Sequence, residues 1–274
     1  MSGLSILLVV IAGVFGLAIG SFLNVVAYRV PAGISLNRES RCPDCGEAIA
    51  PWQNVPVVSW FALRGRCAHC GGAISARYPA VEAATAASFA IITWAMLEAA
   101  GPSATPGALT AAIIAYLYFA AISMVLTLID LDTHRLPNAI VLPSYLVAAV
   151  LLTLASALVG DWGAIVRAAA GMAILYAFYF VLRLVRPDGM GGGDVKLAGV
   201  IGLYLGWIGW GALAVGAFAA FLLGGIFGIA LILARRAGRR SAIPFGPWMI
   251  LGAWVGIFTG EAIAAWYTGL LIGS

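Results

Sequence analysis

The chain has 274 residues, 63% of them hydrophobic and only 9% charged, with a formal net charge of +4. Soluble globular domains carry about 25% charged residues, so this composition excludes a soluble enzyme and describes an integral membrane protein. The small positive balance needs no nucleic acid to explain it, because the basic residues cluster at the ends of apolar runs as a topology signal.

A helix that crosses a hydrocarbon core of about 30 Å needs about 20 apolar residues. Such runs cover residues 4–28, 80–99, 108–129, 139–159, 164–182 and 242–268. Residues 197–234 carry no formal charge and are too long for one crossing at about 1.5 Å per residue. That stretch divides near Gly206-Trp207-Ile208-Gly209-Trp210-Gly211, where glycines can turn and tryptophans favour the membrane interface. The predicted fold is all-α: a polytopic membrane bundle of about eight transmembrane helices. The first run lacks a basic flank and is too long for the apolar part of a signal peptide, so it is read as the first span.

With the N-terminus outside, eight spans place fourteen of the fifteen Lys and Arg on the cytoplasmic side. These are Arg29, the five arginines from Arg38 to Arg77, Arg135, Arg183, Arg186, Lys196, Arg235, Arg236, Arg239 and Arg240; only Arg167 lies outside. Small residues recur every fourth position in three spans: Ala12, Gly16 and Gly20; Ala212, Gly216, Ala220, Gly224 and Gly228; Gly252, Gly256 and Gly260. Such stripes let helix backbones approach closely in lipid, and here they predict packing within one bundle.

Between the first two spans lies the only long polar segment, residues 29–79, with all four cysteines. The domain order is thus a first transmembrane helix (1–28), a small cytoplasmic domain (29–79) and a larger transmembrane domain (80–274). About fifty residues bury too little apolar surface without a staple. Cys42-Pro43-Asp44-Cys45 and Cys67-Ala68-His69-Cys70 form two C-x2-C pairs separated by twenty-one residues, the spacing of a tetrahedral zinc site. Four thiolates leave no position for water, which predicts a structural zinc. Disulfides are the competing reading, disfavoured by a reducing compartment. His69 could replace one cysteine.

Two carboxylates then stand out. Asp130 closes the apolar run Leu109 to Ile129, and Asp194 follows Gly189-Met190-Gly191-Gly192-Gly193. A carboxylate at bilayer depth costs roughly 2.5 kcal/mol or more. Taken alone, Asp130 and Asp132 fit equally well as loop residues before Pro137. A phosphate loop is excluded at Asp194, since no strand precedes the glycines and no Gly-Lys-Ser/Thr follows. The topology sets Asp130 at the cytoplasmic end of the third span and Asp194 at the cytoplasmic start of the sixth. Two such carboxyls can share one proton, one acting as base on water and the other as acid on a carbonyl.

At this point the residues resemble the type IV prepilin peptidases, among the GxGD membrane aspartyl proteases. The likeness is carried by Gly20-Ser21-Phe22-Leu23-Asn24-Val25-Val26, the paired C-x2-C knuckles, Arg77-Tyr78-Pro79-Ala80-Val81-Glu82, Asp130 to Asn138 and Gly189 to Lys196, in that order over nearly the whole chain. The resemblance implies a multi-pass enzyme of the bacterial inner membrane that cleaves the basic leader from prepilins or pseudopilins on the cytoplasmic side of their apolar helix. It also implies that Asp130 and Asp194 are the catalytic pair, with Asp132 outside it. Asn138 stands where many members have Asp. Many members also methylate the new N-terminus with S-adenosylmethionine; no residue here is assigned to that cofactor. Two rivals share part of the pattern: a presenilin-like intramembrane protease, which has no need of the four-cysteine domain, and a transporter using Asp130 and Asp194 as ion-binding carboxylates.

Overall fold

In lipid a backbone is satisfied only within helices or a closed barrel, and this chain takes the first solution. The computed structural model describes residues 2–101, 104–234 and 244–272. Arg235, Arg236, Arg239 and Arg240 lie outside the described residues. Nine α-helices occur among them: α1 (Gly3–Arg29), α2 (Val58–Ala62), α3 (Arg77–Ala99), α4 (Pro106–Thr133), α5 (Asn138–Ala157), α6 (Trp162–Val185), α7 (Gly192–Ile208), α8 (Trp210–Leu233) and α9 (Gly246–Ile272). Seven of them, α1, α3 to α6, α8 and α9, are long and apolar enough to cross a membrane. The eighth expected span is α7, which has 17 residues. The charge-free stretch breaks within the glycine and tryptophan segment expected, between Ile208 and Trp210.

The chain forms two compact units, Met1–Ala104 with Tyr116–Val125, and Thr105–Ala115 with Leu126–Ser274. In the first, α1 and α3 run antiparallel in close contact. A Cβ on Gly16 would stand 2.7 Å from Ala86 Cα, and one on Gly20 2.7 Å from Glu82 Cα. The stripe predicted on α1 is therefore the seam of a helix pair, extended by Asn24, whose side-chain amide donates to Tyr78 O at 3.2 Å.

In the second unit α7 is the central rod and touches α5, α6, α8 and α9. The two other predicted stripes are partners of each other. A Cβ on Gly252 would meet Ala220 N at 2.5 Å and one on Gly256 would meet Ala212 O at 2.6 Å, so α8 and α9 pack antiparallel. Past the middle of α9, Glu261 accepts the Ala212 N–H at 2.9 Å and so satisfies an orphan donor in the first turn of α8. Arg167 donates to Trp207 O at 3.4 Å, placing a cation at the C-terminal end of α7.

Candidate functional site

The segment from α4 to α5 positions the first carboxylate. His134 adopts a left-handed conformation (φ 52°) and returns its N–H to Asp130 O at 2.9 Å, which ends α4. Pro137 then pushes the residue before it away from helix. Asp130 is thereby fixed on the last full turn, with only 5% of its surface exposed. Its Oδ2 accepts the N–H of Gly246 at 3.0 Å, the first residue of α9. That bond and the positive end of α9 offset the cost of burying the carboxylate. A Cβ at 246 would stand 2.7 Å from Oδ2, so this approach requires glycine.

Asp194 is the third residue of α7, and its Oδ2 accepts the Gly191 N–H at 3.0 Å. This is the reciprocal half of a capping box. The glycines before it allow a second close approach. A Cβ on Gly193 would lie 2.8 Å from Leu136 Cβ, and Leu136 also reaches to within 3.5 Å of the corresponding position at Gly246. Leu136 thus wedges between the first turns of α7 and α9. Asp130 and Asp194 are thereby brought to the same place, since Leu136 touches both Gly193, the neighbour of Asp194, and Gly246, the partner of Asp130. Asp132 is exposed. The amide Oδ1 of Asn138 accepts from Lys196 Nζ at 2.9 Å, while Tyr145 donates to Lys196 O at 2.6 Å, so α5 braces the first turns of α7 from two sides.

Two features here escaped the sequence reading. Gly246 carried a signal, Pro244-Phe245-Gly246-Pro247 at the head of the last apolar run, where the proline and glycine pattern marks a helix start. Tyr179 carried none, lying in the aromatic run Tyr176 to Phe180 of α6. It is 2% exposed, and its ring rests on Phe245, the residue before Gly246.

In the first unit the four cysteines are free thiols, and all their Sγ atoms lie within 4.8 Å of one another. Cys42 Sγ and Cys70 Sγ are 3.8 Å apart, the edge expected of a tetrahedron with metal–sulfur bonds of about 2.3 Å. The two knuckles are built alike. Cys42 N–H donates to Glu47 O at 2.9 Å and Gly46 N–H to Cys42 O at 2.9 Å; Cys67 N–H donates to Gly72 O at 2.8 Å and Gly71 N–H to Cys67 O at 3.0 Å. Gly46 and Gly71 take φ of +73° and +72°, the left-handed turn that only glycine enters freely. Isolated bridges Arg41–Ala48 and Arg66–Ala73 close the two hairpins. The N–H groups of Cys70 and His69 point at Cys67 Sγ. The set therefore fits zinc with all four positions filled by protein.

Among the buried polar residues of this unit, the Thr93 and Ser123 hydroxyls have no hydrogen-bond partner among the described residues, while Glu82 and Arg29 are held by the backbone. Glu82 accepts the Val57 N–H at 2.6 Å, and Arg29 donates to the carbonyls of Ser35, Leu36, Arg38 and Glu39. The Arg29 contacts order the loop between α1 and the first knuckle, the Glu82 contact the segment between the two knuckles, and they assign no residue to S-adenosylmethionine.

The fold and site define a polytopic helical membrane protein with a two-carboxylate centre beside two helix N-termini in one unit and a four-cysteine cluster in the other. Comparison with known proteins identifies the family. Residues 14–96 match the bacterial peptidase A24 N-terminal domain, and residues 117–229 the type IV leader peptidase family. A prepilin leader peptidase/N-methyltransferase of Aeromonas salmonicida is 35% identical, over 94% of this chain and 93% of its own. Proteins of the same name from Stutzerimonas stutzeri and Pseudomonas aeruginosa are 33% and 32% identical, covering 94% and 92% of this chain and 93% and 90% of theirs. No solved structure gives a significant match. The chain belongs to the type IV leader peptidase family.

Proposed function

We propose that the protein is a membrane aspartyl endopeptidase that removes the basic leader from type IV prepilins or pseudopilins, with Asp130 and Asp194 as its catalytic pair. The observation that carries this reading is the convergence of the two carboxylates, from helices far apart in sequence, at the N-terminal turns of α7 and α9. Membership of the leader peptidase family supplies the substrate class. The distribution of Lys and Arg supports an eight-span arrangement in the bacterial inner membrane, α7 included, with both this site and residues 29–79 facing the cytoplasm. A substrate's apolar helix then lies in the bilayer while its leader reaches the aspartates from the water side.

The pair shares one proton. The ionised carboxylate takes a proton from water as the water oxygen attacks the scissile carbonyl, and the protonated carboxyl gives its proton to the carbonyl oxygen. The resulting gem-diol collapses with cleavage of the C–N bond. The amine leaves with a proton returned from the site, and the pair is restored. Zinc held by Cys42, Cys45, Cys67 and Cys70 supplies no step; it cross-links the two knuckles. N-methylation of the new N-terminus with S-adenosylmethionine as methyl donor follows in the same reading, supported by the names of the relatives.

The test is incubation of the purified full-length chain with a prepilin that keeps its leader and apolar helix, and measurement of the product N-terminus by mass. Leader loss, abolished by Asp130→Asn and by Asp194→Asn in proteins that remain folded, is the expected result. Full cleavage by either variant overturns the assignment of the pair, and a cut inside the apolar helix overturns the substrate reading. Addition of one methyl mass in the presence of S-adenosylmethionine tests the second activity.

A further inference from the structure

We propose that Tyr179 is a third catalytic residue, whose phenol donates a hydrogen bond to the scissile carbonyl oxygen as that oxygen becomes tetrahedral. The inference rests on the peptidase reading and adds to it a group outside the aspartate motifs. Three observations converge on this side chain.

The first is its confinement. Tyr179 is 2% exposed, and its ring is fixed by Phe178 edge-on at 5.6 Å, Phe221 at 5.5 Å and Phe245 at 6.3 Å. Phe221 and Phe245 also pack on each other at 5.2 Å, so the box has little freedom to reorient. The second is an unused donor. Two other tyrosines of this unit spend their hydroxyls on the backbone: Tyr204 donates to Ala115 O at 3.1 Å and Tyr145 to Lys196 O at 2.6 Å. No described residue shares a hydrogen bond with the Tyr179 hydroxyl, which is not fully enclosed and so opens out of its aromatic box. The third is direction. One turn beyond Tyr179 on α6, Arg183 lies against Gly192 in the first turn of α7, the turn that carries Asp194, and Phe245, on which the Tyr179 ring rests, immediately precedes the Gly246 that holds Asp130.

Phenylalanine would fill the same box, so packing explains the ring and leaves the hydroxyl unexplained. A donor kept free beside the carboxylates is suited to the charge that appears on the carbonyl oxygen during attack. The phenol keeps its proton throughout. The proton that reaches the carbonyl oxygen comes from the protonated carboxyl, and the phenol's hydrogen bond stabilises that oxygen before and after transfer. Loss of one preorganised donor of this kind lowers kcat by about 10²–10³.

The experiment compares the full-length protein with Tyr179→Phe in detergent, using a prepilin substrate and an inhibitor that carries a hydroxyl in place of the scissile carbonyl. We expect kcat to fall about 100-fold with KM within twofold, and inhibitor affinity to weaken by a factor similar to the loss in kcat. A packing role would move neither kcat nor inhibitor affinity, because the ring is retained. A kcat within threefold of the parent overturns the proposal. If Tyr179→Phe lowers the thermal midpoint, fluorotyrosine incorporated at 179 decides, since it is nearly isosteric and a stronger donor; unchanged kcat there also overturns the proposal. Absence of leader cleavage by the parent, or its survival in Asp130→Asn, is a failure of the peptidase reading itself and is distinguishable from both results.

Discussion

Substitution of Gly246 by alanine isolates the contact that holds Asp130. The new methyl carbon would stand 2.7 Å from Oδ2, too close for either group to stay in place, and the neighbouring atoms are a carboxylate and Leu136. Either Asp130 turns away or the first turn of α9 shifts; both break the 3.0 Å bond from the Gly246 N–H. A hydrogen bond to a charged group is worth about 1.5–3 kcal/mol. If that interaction is needed to aim the carboxylate, kcat falls by about 10- to 150-fold. KM should change little, because the substrate's apolar helix does not depend on this bond. Initial rates of leader removal measure the effect, with a thermal unfolding midpoint as control for fold. A kcat within twofold of the parent in a stable protein would falsify the claim that the α9 N-terminus orients Asp130. Gly225→Ala is the matched control, since a Cβ there meets nothing within 4 Å.

The stripes predict a second contrast. Gly256→Ala places a methyl 2.6 Å from Ala212 O between α8 and α9 and should destabilise the bundle by about 1–3 kcal/mol, whereas Gly225→Ala should be neutral or stabilising by about 0.5–1 kcal/mol; detergent-resistant unfolding curves read both, and equal curves sink the packing account. At the thiolate cluster, Cys67→Ser should take bound zinc from one per chain to near zero and expose residues 30–76 to protease; parent protein purified reduced and free of zinc is the refuting result.

Much of this site was legible because charge is conspicuous in an apolar chain. Asp130 and Asp194 stood out by their cost, and the cysteines by a spacing that few uses other than a metal explain. The sequence reading chose Asp130 over Asp132 by family likeness alone. The structure supplies a physical difference between them, since Asp130 is buried and bonded to Gly246 while Asp132 is exposed. The stripes announced close packing but not which helix met which. That pairing depends on matched positions in two helices, as where Gly252 lies against Ala220. Tyr179 was hidden because an aromatic residue inside an aromatic run gives the same periodic signal whether it packs or points at a carboxylate. Gly246 showed in the sequence only as part of a helix start; that it leaves room for a carboxylate is visible only once Asp130 is seen beside it.

The bond between Asp130 and Gly246 joins residues 116 positions apart. It has a consequence for biosynthesis. Helices α4 to α8 can enter the membrane with Asp130 in place, yet the carboxylate lacks its partner until α9 has been made and has docked against α7 and α8. If Asp130 is catalytic as proposed, a nascent chain carries the reactive groups before it carries their arrangement, and hydrolytic competence arrives as one of the last events of assembly. For a protease born in the same membrane as its substrates, such timing keeps half-built molecules silent.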